Sequence, residues 1–217
     1  MIKLAEVSYK HAETYSVRNI SVVFEKGRFY TILGASGSGK STLAAILARI
    51  VKPTEGRYDF KYVKKNKYGK NTSTSQISLL RTKLNHFENH TVVENIEIQN
   101  AFSGTKQTKR QILAMLAEIG IDEKMAAKKV ITLRQNMRIR LAIIKLFVKP
   151  TPVIIIDSPL ASLDDQFAQE LLENKIALLD KRQHCLIYFS EDNDIIKRSD
   201  EVYGMNRGRL LFVRYTI

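Results

Sequence analysis

Residues 34–41 read GASGSGKS and constrain the fold more than any other stretch of the chain. They match G-x-x-x-x-G-K-[ST], and they lie between an apolar run, GRFYTIL at 27–33, and a segment with helical spacing, TLAAILARI at 42–50. A loop of this composition brings backbone N–H groups together on phosphate oxygens without a Cβ in the way. The helix that follows points its positive end at the same oxygens. Gly34, Ala35, Ser36, Gly37, Ser38, Gly39, Lys40, Ser41 and Thr42 are therefore the candidate phosphate-binding residues. Lys40 would reach the β- and γ-phosphates, and Ser41 would offer its hydroxyl to magnesium. A strand feeding a helix through such a loop calls for an α/β fold with a parallel-sheet core.

The rest of the chain agrees. PVIIID at 152–157 and HCLIYF at 184–189 read as two further buried strands, and IKLAEVSY (2–9) and NISVVFE (19–25) as shorter ones. KPTEG at 52–56 is a turn, and SQISLL at 75–80 closes a Lys-rich hairpin-like stretch. From about 91 to 149 the pattern is helical, as it is again over DDQFAQELLENKIALLD, and DNDIIKRS reads as a short helix. EVYGMNRGRLLFVRYTI is a terminal hairpin around Asn206–Gly208. Asp157, at the end of VIIID, is placed for magnesium directly or through water.

Composition narrows the partners. The longest apolar runs fall well short of the roughly 20 residues that a spanning helix needs, and MIKLAEVSYKHAETY lacks the plan of a signal peptide, so a soluble or membrane-peripheral protein is expected. The single cysteine, Cys185, sits in an apolar run and suits a reducing compartment. A net charge of +13 favours anionic partners such as nucleotides, a membrane's inner leaflet or nucleic acid. The densest basic cluster, KYVKKNKYGK at 61–70, reads as a solvated hairpin arm.

With the loop and Asp157 placed, the chain resembles the ATP-binding subunit of ABC transporters from end to end. VSYKHAETYSVRNISVVFEKGRFYTILGASGSGKSTL follows that family's N-terminal pattern. TVVENI (91–96) is similar to its TVxEN stretch, SPLASLD to its Walker B extension and D-loop, and RSDEVYGMNRGRL to its closing segment. The resemblance implies a P-loop NTPase, RecA-like core with an N-terminal antiparallel β subdomain and a helical subdomain. The whole of 1–217 would be one ATP-binding domain, with the helical part inserted at about 81–147. It implies ATP and Mg2+ held between two head-to-tail subunits, a homo- or heterodimer, beneath a membrane-spanning transporter subunit. The location would then be cytoplasmic, peripheral on the inner face of the cell membrane.

Position by position, the resemblance also implies departures. The Q-loop glutamine position falls on Arg81, with Gln76 too early unless the register slips. The LSGGQ signature falls on Leu133, Arg134, Gln135, Asn136 and Met137, which with the D-loop Asp164 would form the dimer contact. Ser158 stands at the catalytic glutamate and Glu191 at the switch histidine, while the adenine-stacking residue is Tyr9 or His11. A hydrolytic site needs a base within reach of water and with a suitable pKa, which a serine hydroxyl does not supply unaided. Glu191 would carry negative charge toward a γ-phosphate where the family uses an imidazole donor. Arg134, Gln135 and Asn136 would crowd the approach of a partner's phosphate, although Arg134 could pair with it.

The expectation is an ATP-binding subunit with weak or absent hydrolysis. Three alternatives stand beside it. The first is an active transporter ATPase whose base comes from a partner, Asp164 or Glu191. The second is a soluble ABC-like protein acting on nucleic acid or a ribosome, and the third a P-loop small-molecule kinase. The nucleic-acid reading is disfavoured because such proteins usually carry two ATP-binding halves or extra domains.

Overall fold

The computed structural model describes residues 1–61, 76–81, 86–148, 151–157, 166–191 and 199–215. Ser158 and Asp164, all but Ser199 of the expected helix at 192–199 and nearly all of the basic stretch at 61–70 lie outside them. Two compact units emerge: Met1–Leu79 with Thr151–Ala161 and Asp180–Ile217, and Leu80–Pro150 with Ser162–Leu179.

The first unit holds an antiparallel sheet and the described parallel strands. Strands β1 (Ile2–His11), β2 (Thr14–Phe24) and β4 (Glu55–Phe60) form a three-stranded antiparallel sheet in the order β2-β1-β4. Ile2, Leu4 and Val7 of β1 turn inward with Val17, Ile20, Val22 and Phe24 of β2, and pack in one cluster with Ile32, Leu43 and Phe189. The two-residue alternation is broken between Leu4 and Val7, where Glu6 takes φ 53° and the register shifts.

The second sheet is mixed, with strand order β5-β6-β7-β3-β8-β9. Its strands are β3 (Phe29–Leu33), β5 (Ile77–Arg81), β6 (Val153–Asp157), β7 (Cys185–Ser190), β8 (Glu201–Asn206) and β9 (Arg209–Tyr215). β3 pairs in parallel with both β7 and β8, and β7 pairs in parallel with β6. Every residue of β6 is buried, which explains why its first four residues, Val153 to Ile156, are a continuous apolar run and not an alternating one. Helix α1 (Lys40–Leu47) lays Leu43, Ala44, Ile46 and Leu47 into the same core. The closing hairpin β8–β9 turns at Arg207 and Gly208, both at positive φ, as a two-residue hairpin turn requires.

In the second unit, α2 (Val92–Ser103) and α3 (Lys109–Ala117) both begin with a reciprocal cap. Thr91 accepts from the Glu94 amide and Glu94 from the Thr91 amide, and Thr108 and Gln111 repeat the pattern. α4 (Glu123–Ala126), a 3-10 turn at Val130–Thr132, α5 (Gln135–Phe147) and α6 (Gln166–Ala177) follow. Val92, Ile96, Ile112, Leu116, Leu141 and Ile144 form this unit's own core. The helical pattern expected from 91 to 149 is thus real but interrupted.

Two strand boundaries differ from the sequence expectation. β2 begins at Thr14 and not near 19, because Tyr9, Lys10 and His11 of β1 pair with Val17, Tyr15 and Thr14 across a tight turn at Ala12. The expected turn at 52–56 gives way to β4 from Glu55: its first three residues are exposed and held by pairing to β1, and only Tyr58 and Phe60, on either side of Asp59, pack against the core cluster.

Candidate functional site

The phosphate loop is built where three strand ends come level. In parallel register Ile32, Phe189 and Asp157 stand side by side across β3, β7 and β6, so their C-terminal ends share one rim of the sheet. Ligands of open α/β sheets bind at that rim. Asp157 is buried there as the last residue of β6.

Residues 34–39 leave β3 and turn into α1. The Ser38 amide donates to the Ala35 carbonyl at 3.1 Å, and the Gly34 amide to the Ser190 carbonyl at 3.2 Å. Gly39, the N-cap of α1, has φ 105°, and a Cβ there would lie 2.1 Å from the Ser16 carbonyl oxygen, so no larger residue fits. Gly37 has nothing within 4 Å of its missing Cβ, so the outer lip of the loop faces open space. Ala35, Ser36 and Gly37 are exposed, as is Ser41; Thr42 is half-buried. Gly39 has no side chain with which to cap the first N–H groups of α1.

Two features of this loop fit an anionic ligand. One is the uncapped helix start below an open, glycine-built lip. The other is the Ser38 hydroxyl, which is buried with no hydrogen-bond partner among the described residues.

Lys40 is 6% exposed. Its ammonium turns back over the loop, donating to the Gly34 carbonyl at 2.6 Å and the Ala35 carbonyl at 2.9 Å. A third contact is an ion pair with Glu191 Oε1 at 3.3 Å. Glu191 directly follows β7 and is partly exposed.

Residues outside the motif hold the loop from behind. The Gly208 amide donates to the Ser38 carbonyl at 2.9 Å, and the Arg18 amide to the Gly208 carbonyl at 2.8 Å. Ser16, Gly208 and Met205, whose carbonyl oxygen would lie 2.5 Å from a Cβ on Gly34, were not expected from the sequence. The Asn-Arg-Gly turn was visible, but nothing in it says which loop it meets.

The two candidate adenine contacts differ in setting. Tyr9 is half-buried and packs against the core cluster, whereas His11 is exposed where β1 meets the hairpin turn. In the second unit, residues 133–137 straddle the start of α5. Leu133 and Met137 pack into the helical core, Arg134 is the exposed N-cap, and Gln135 begins the helix. The Asn136 side-chain carbonyl accepts from the Met137 amide at 2.8 Å. Arg81 is the last residue of β5, and the carbonyl of Gln76, just before that strand, accepts from Val153.

Among the described residues no helix is long and apolar enough to cross a membrane.

Comparison with known proteins supplies the relationship. The ABC transporter family pattern matches residues 17–161. An uncharacterized ABC transporter ATP-binding protein of Bacillus subtilis, YclH, is 32% identical over 205 residues, covering 92% of this chain and 90% of that one. The phosphonates import ATP-binding protein PhnC of Treponema denticola is 27% identical over 215 residues, covering 91% and 82% respectively. In fold, the chain is similar to the dimeric structure of MJ0796, a bacterial ABC transporter cassette, with a TM-score of 0.77 at 24% identity and 99% of both chains covered. The chain is a P-loop NTPase by fold, and it belongs to the ABC transporter family as an ATP-binding subunit.

Proposed function

We propose that this subunit binds magnesium ATP at residues 34–42 and uses it chiefly as a ligand that closes the protein on its partners, with hydrolysis slow or absent. The observation that carries the reading is the phosphate loop: an uncapped helix start, an open lip at Gly37, an orphaned Ser38 hydroxyl and the Lys40 ammonium over the loop carbonyls.

The roles divide by chemistry. Loop amides and Lys40 hold phosphate oxygens, Ser41 and Asp157 hold the metal, and Tyr9 or His11 lies against the adenine. Magnesium, when bound, neutralises charge between the outer phosphates. Weak turnover is supported by residue chemistry: Ser158 has no unaided basicity at neutral pH, and the carboxylate of Glu191 accepts where an imidazole would donate. The partners of this reading are a membrane-spanning transporter subunit and a second ATP-binding subunit, met through residues 133–137 and Asp164. The location is the inner face of the cell membrane. The ABC transporter ATP-binding proteins among the relatives, one of them an import protein, support a transporter without choosing a cargo.

The test is ATP binding and turnover by the purified chain with magnesium, over a wide protein concentration range, beside Lys40→Ala. Binding that Lys40→Ala abolishes, with no turnover above that control, is the expected result. Turnover that climbs as the chain dimerises and vanishes in the control overturns the binding-dominated reading. The 3.3 Å approach of Glu191 to Lys40 favours a second reading, in which Glu191 is the substitute base. That reading requires such turnover to be lost in Glu191→Gln.

A further inference from the structure

We propose that Glu191 sets the nucleotide preference of this site, holding Lys40 over the loop and disfavouring a third phosphate, so that the chain binds nucleoside diphosphates more tightly than triphosphates. The inference rests on the reading of residues 34–42 as a nucleotide site and adds to it which nucleotide the site prefers.

The position of Glu191 is fixed by the sheet. β3 and β7 run in parallel register with Leu33 opposite Ser190, and the Gly34 amide donates to the Ser190 carbonyl at 3.2 Å. The residue after β7 therefore stands beside the first residue of the loop, whatever its side chain. Here that side chain is a carboxylate, which reaches the Lys40 ammonium at 3.3 Å.

The donor count on Lys40 then matters. An ammonium has three N–H donors. In this structure they meet three acceptors: the carbonyls of Gly34 and Ala35, at 2.6 and 2.9 Å, and Glu191 Oε1. A phosphate oxygen engages Lys40 only by displacing one of them. Displacing a carbonyl leaves two anions around one ammonium. Displacing Glu191 breaks the ion pair and leaves a carboxylate, which can accept but not donate, facing phosphate oxygens. Either way the cost grows with the negative charge brought in, and a triphosphate brings more than a diphosphate. Because Glu191 is 41% exposed, solvent screens the effect and keeps it moderate. A discrimination of at most about fivefold is the appropriate scale for a charged contact of this exposure.

The experiment is equilibrium binding of ADP and ATP, each with magnesium, to the full chain and to Glu191→Gln and Glu191→His. The expected result is that the parent chain binds ADP about fivefold more tightly than ATP. Both variants should tighten ATP binding by about fivefold while ADP affinity moves by less than about twofold. A parent chain that prefers ATP, or variants that leave the ATP-to-ADP ratio unchanged while both nucleotides bind, overturns the role of Glu191 and leaves the nucleotide site standing. Binding of neither nucleotide by any of the three proteins overturns the nucleotide site itself, and the preference with it. Two chemically different replacements guard against one variant failing to fold.

Discussion

At the scale of single residues, the second unit contains an unusual buried polar group. Lys145 lies on α5 among Ile143, Ile144 and Leu146, and its ammonium donates to Asn95 Oδ1 at 3.3 Å. Burial pulls its pKa down to about 8. Asn95 is fully buried and is bonded on both sides of its amide, to the Phe87 backbone and the Thr91 carbonyl. Nearby, His86 Nε2 lies 2.9 Å from the Arg138 carbonyl, and burial first, then the Lys145 charge, lowers its pKa to about 4. Between that value and the ordinary 6.5 the folded chain keeps His86 neutral while the unfolded chain protonates it. The unfolded state therefore binds more protons in this window, and stability falls as pH drops through it. The contribution is fully present above about pH 6.5 and amounts to as much as about 3 kcal/mol. Denaturant titrations from pH 7 to 4 should show this decline. His86→Gln, which keeps a donor for the Arg138 carbonyl but does not titrate, should flatten it. None of this was legible beforehand, because His86, Asn95 and Lys145 are scattered in sequence and nothing in a helical pattern marks a lysine as inward-facing.

At the scale of elements, legibility followed the strength of the local pattern. The strand entering the phosphate loop, the apolar run of β6 that ends in Asp157 and the hairpin at Arg207–Gly208 were readable because burial on both faces or a required positive φ leaves a mark in the residues themselves. β4 was not: the alternation in EGRYDF is confined to Tyr58 and Phe60, too short to mark a strand, and its exposed first half is a strand through pairing with β1. The same holds for the first residues of β2. The helix starts are local again. Thr91 and Glu94 close α2 with hydrogen bonds in both directions, at 3.2 and 2.6 Å. Thr91→Ala removes the hydroxyl that accepts the Glu94 amide and should destabilise the chain by about 1 kcal/mol, read from the denaturation midpoint at unchanged slope. Thr91→Ser should recover most of that loss.

At the scale of the whole molecule, nucleotide and fold are linked by mass action. A ligand held only by the native chain stabilises it by about 2.7 kcal/mol at a hundred times its dissociation constant. For a chain of 217 residues that corresponds to a rise in melting temperature of roughly 5–10 °C. Thermal melts with and without saturating nucleotide and magnesium should show this shift, and Lys40→Ala should lack it. The motif residues 34–42 could be chosen from sequence because their chemistry is local. Their supports could not, since Ser16, Met205 and Gly208 meet the loop only after the sheet has assembled.

That assembly has a bearing on biosynthesis. β3, which launches the phosphate loop, lies between β7 and β8, and the loop's Ser38 carbonyl is held by Gly208. Residues 29–41 leave the ribosome more than a hundred positions ahead of the strands that flank them. A nascent chain therefore carries its nucleotide loop exposed and unsupported for most of translation. On the reading proposed for residues 34–42, ATP becomes a ligand only once β7, β8 and Gly208 have emerged and paired beside the loop.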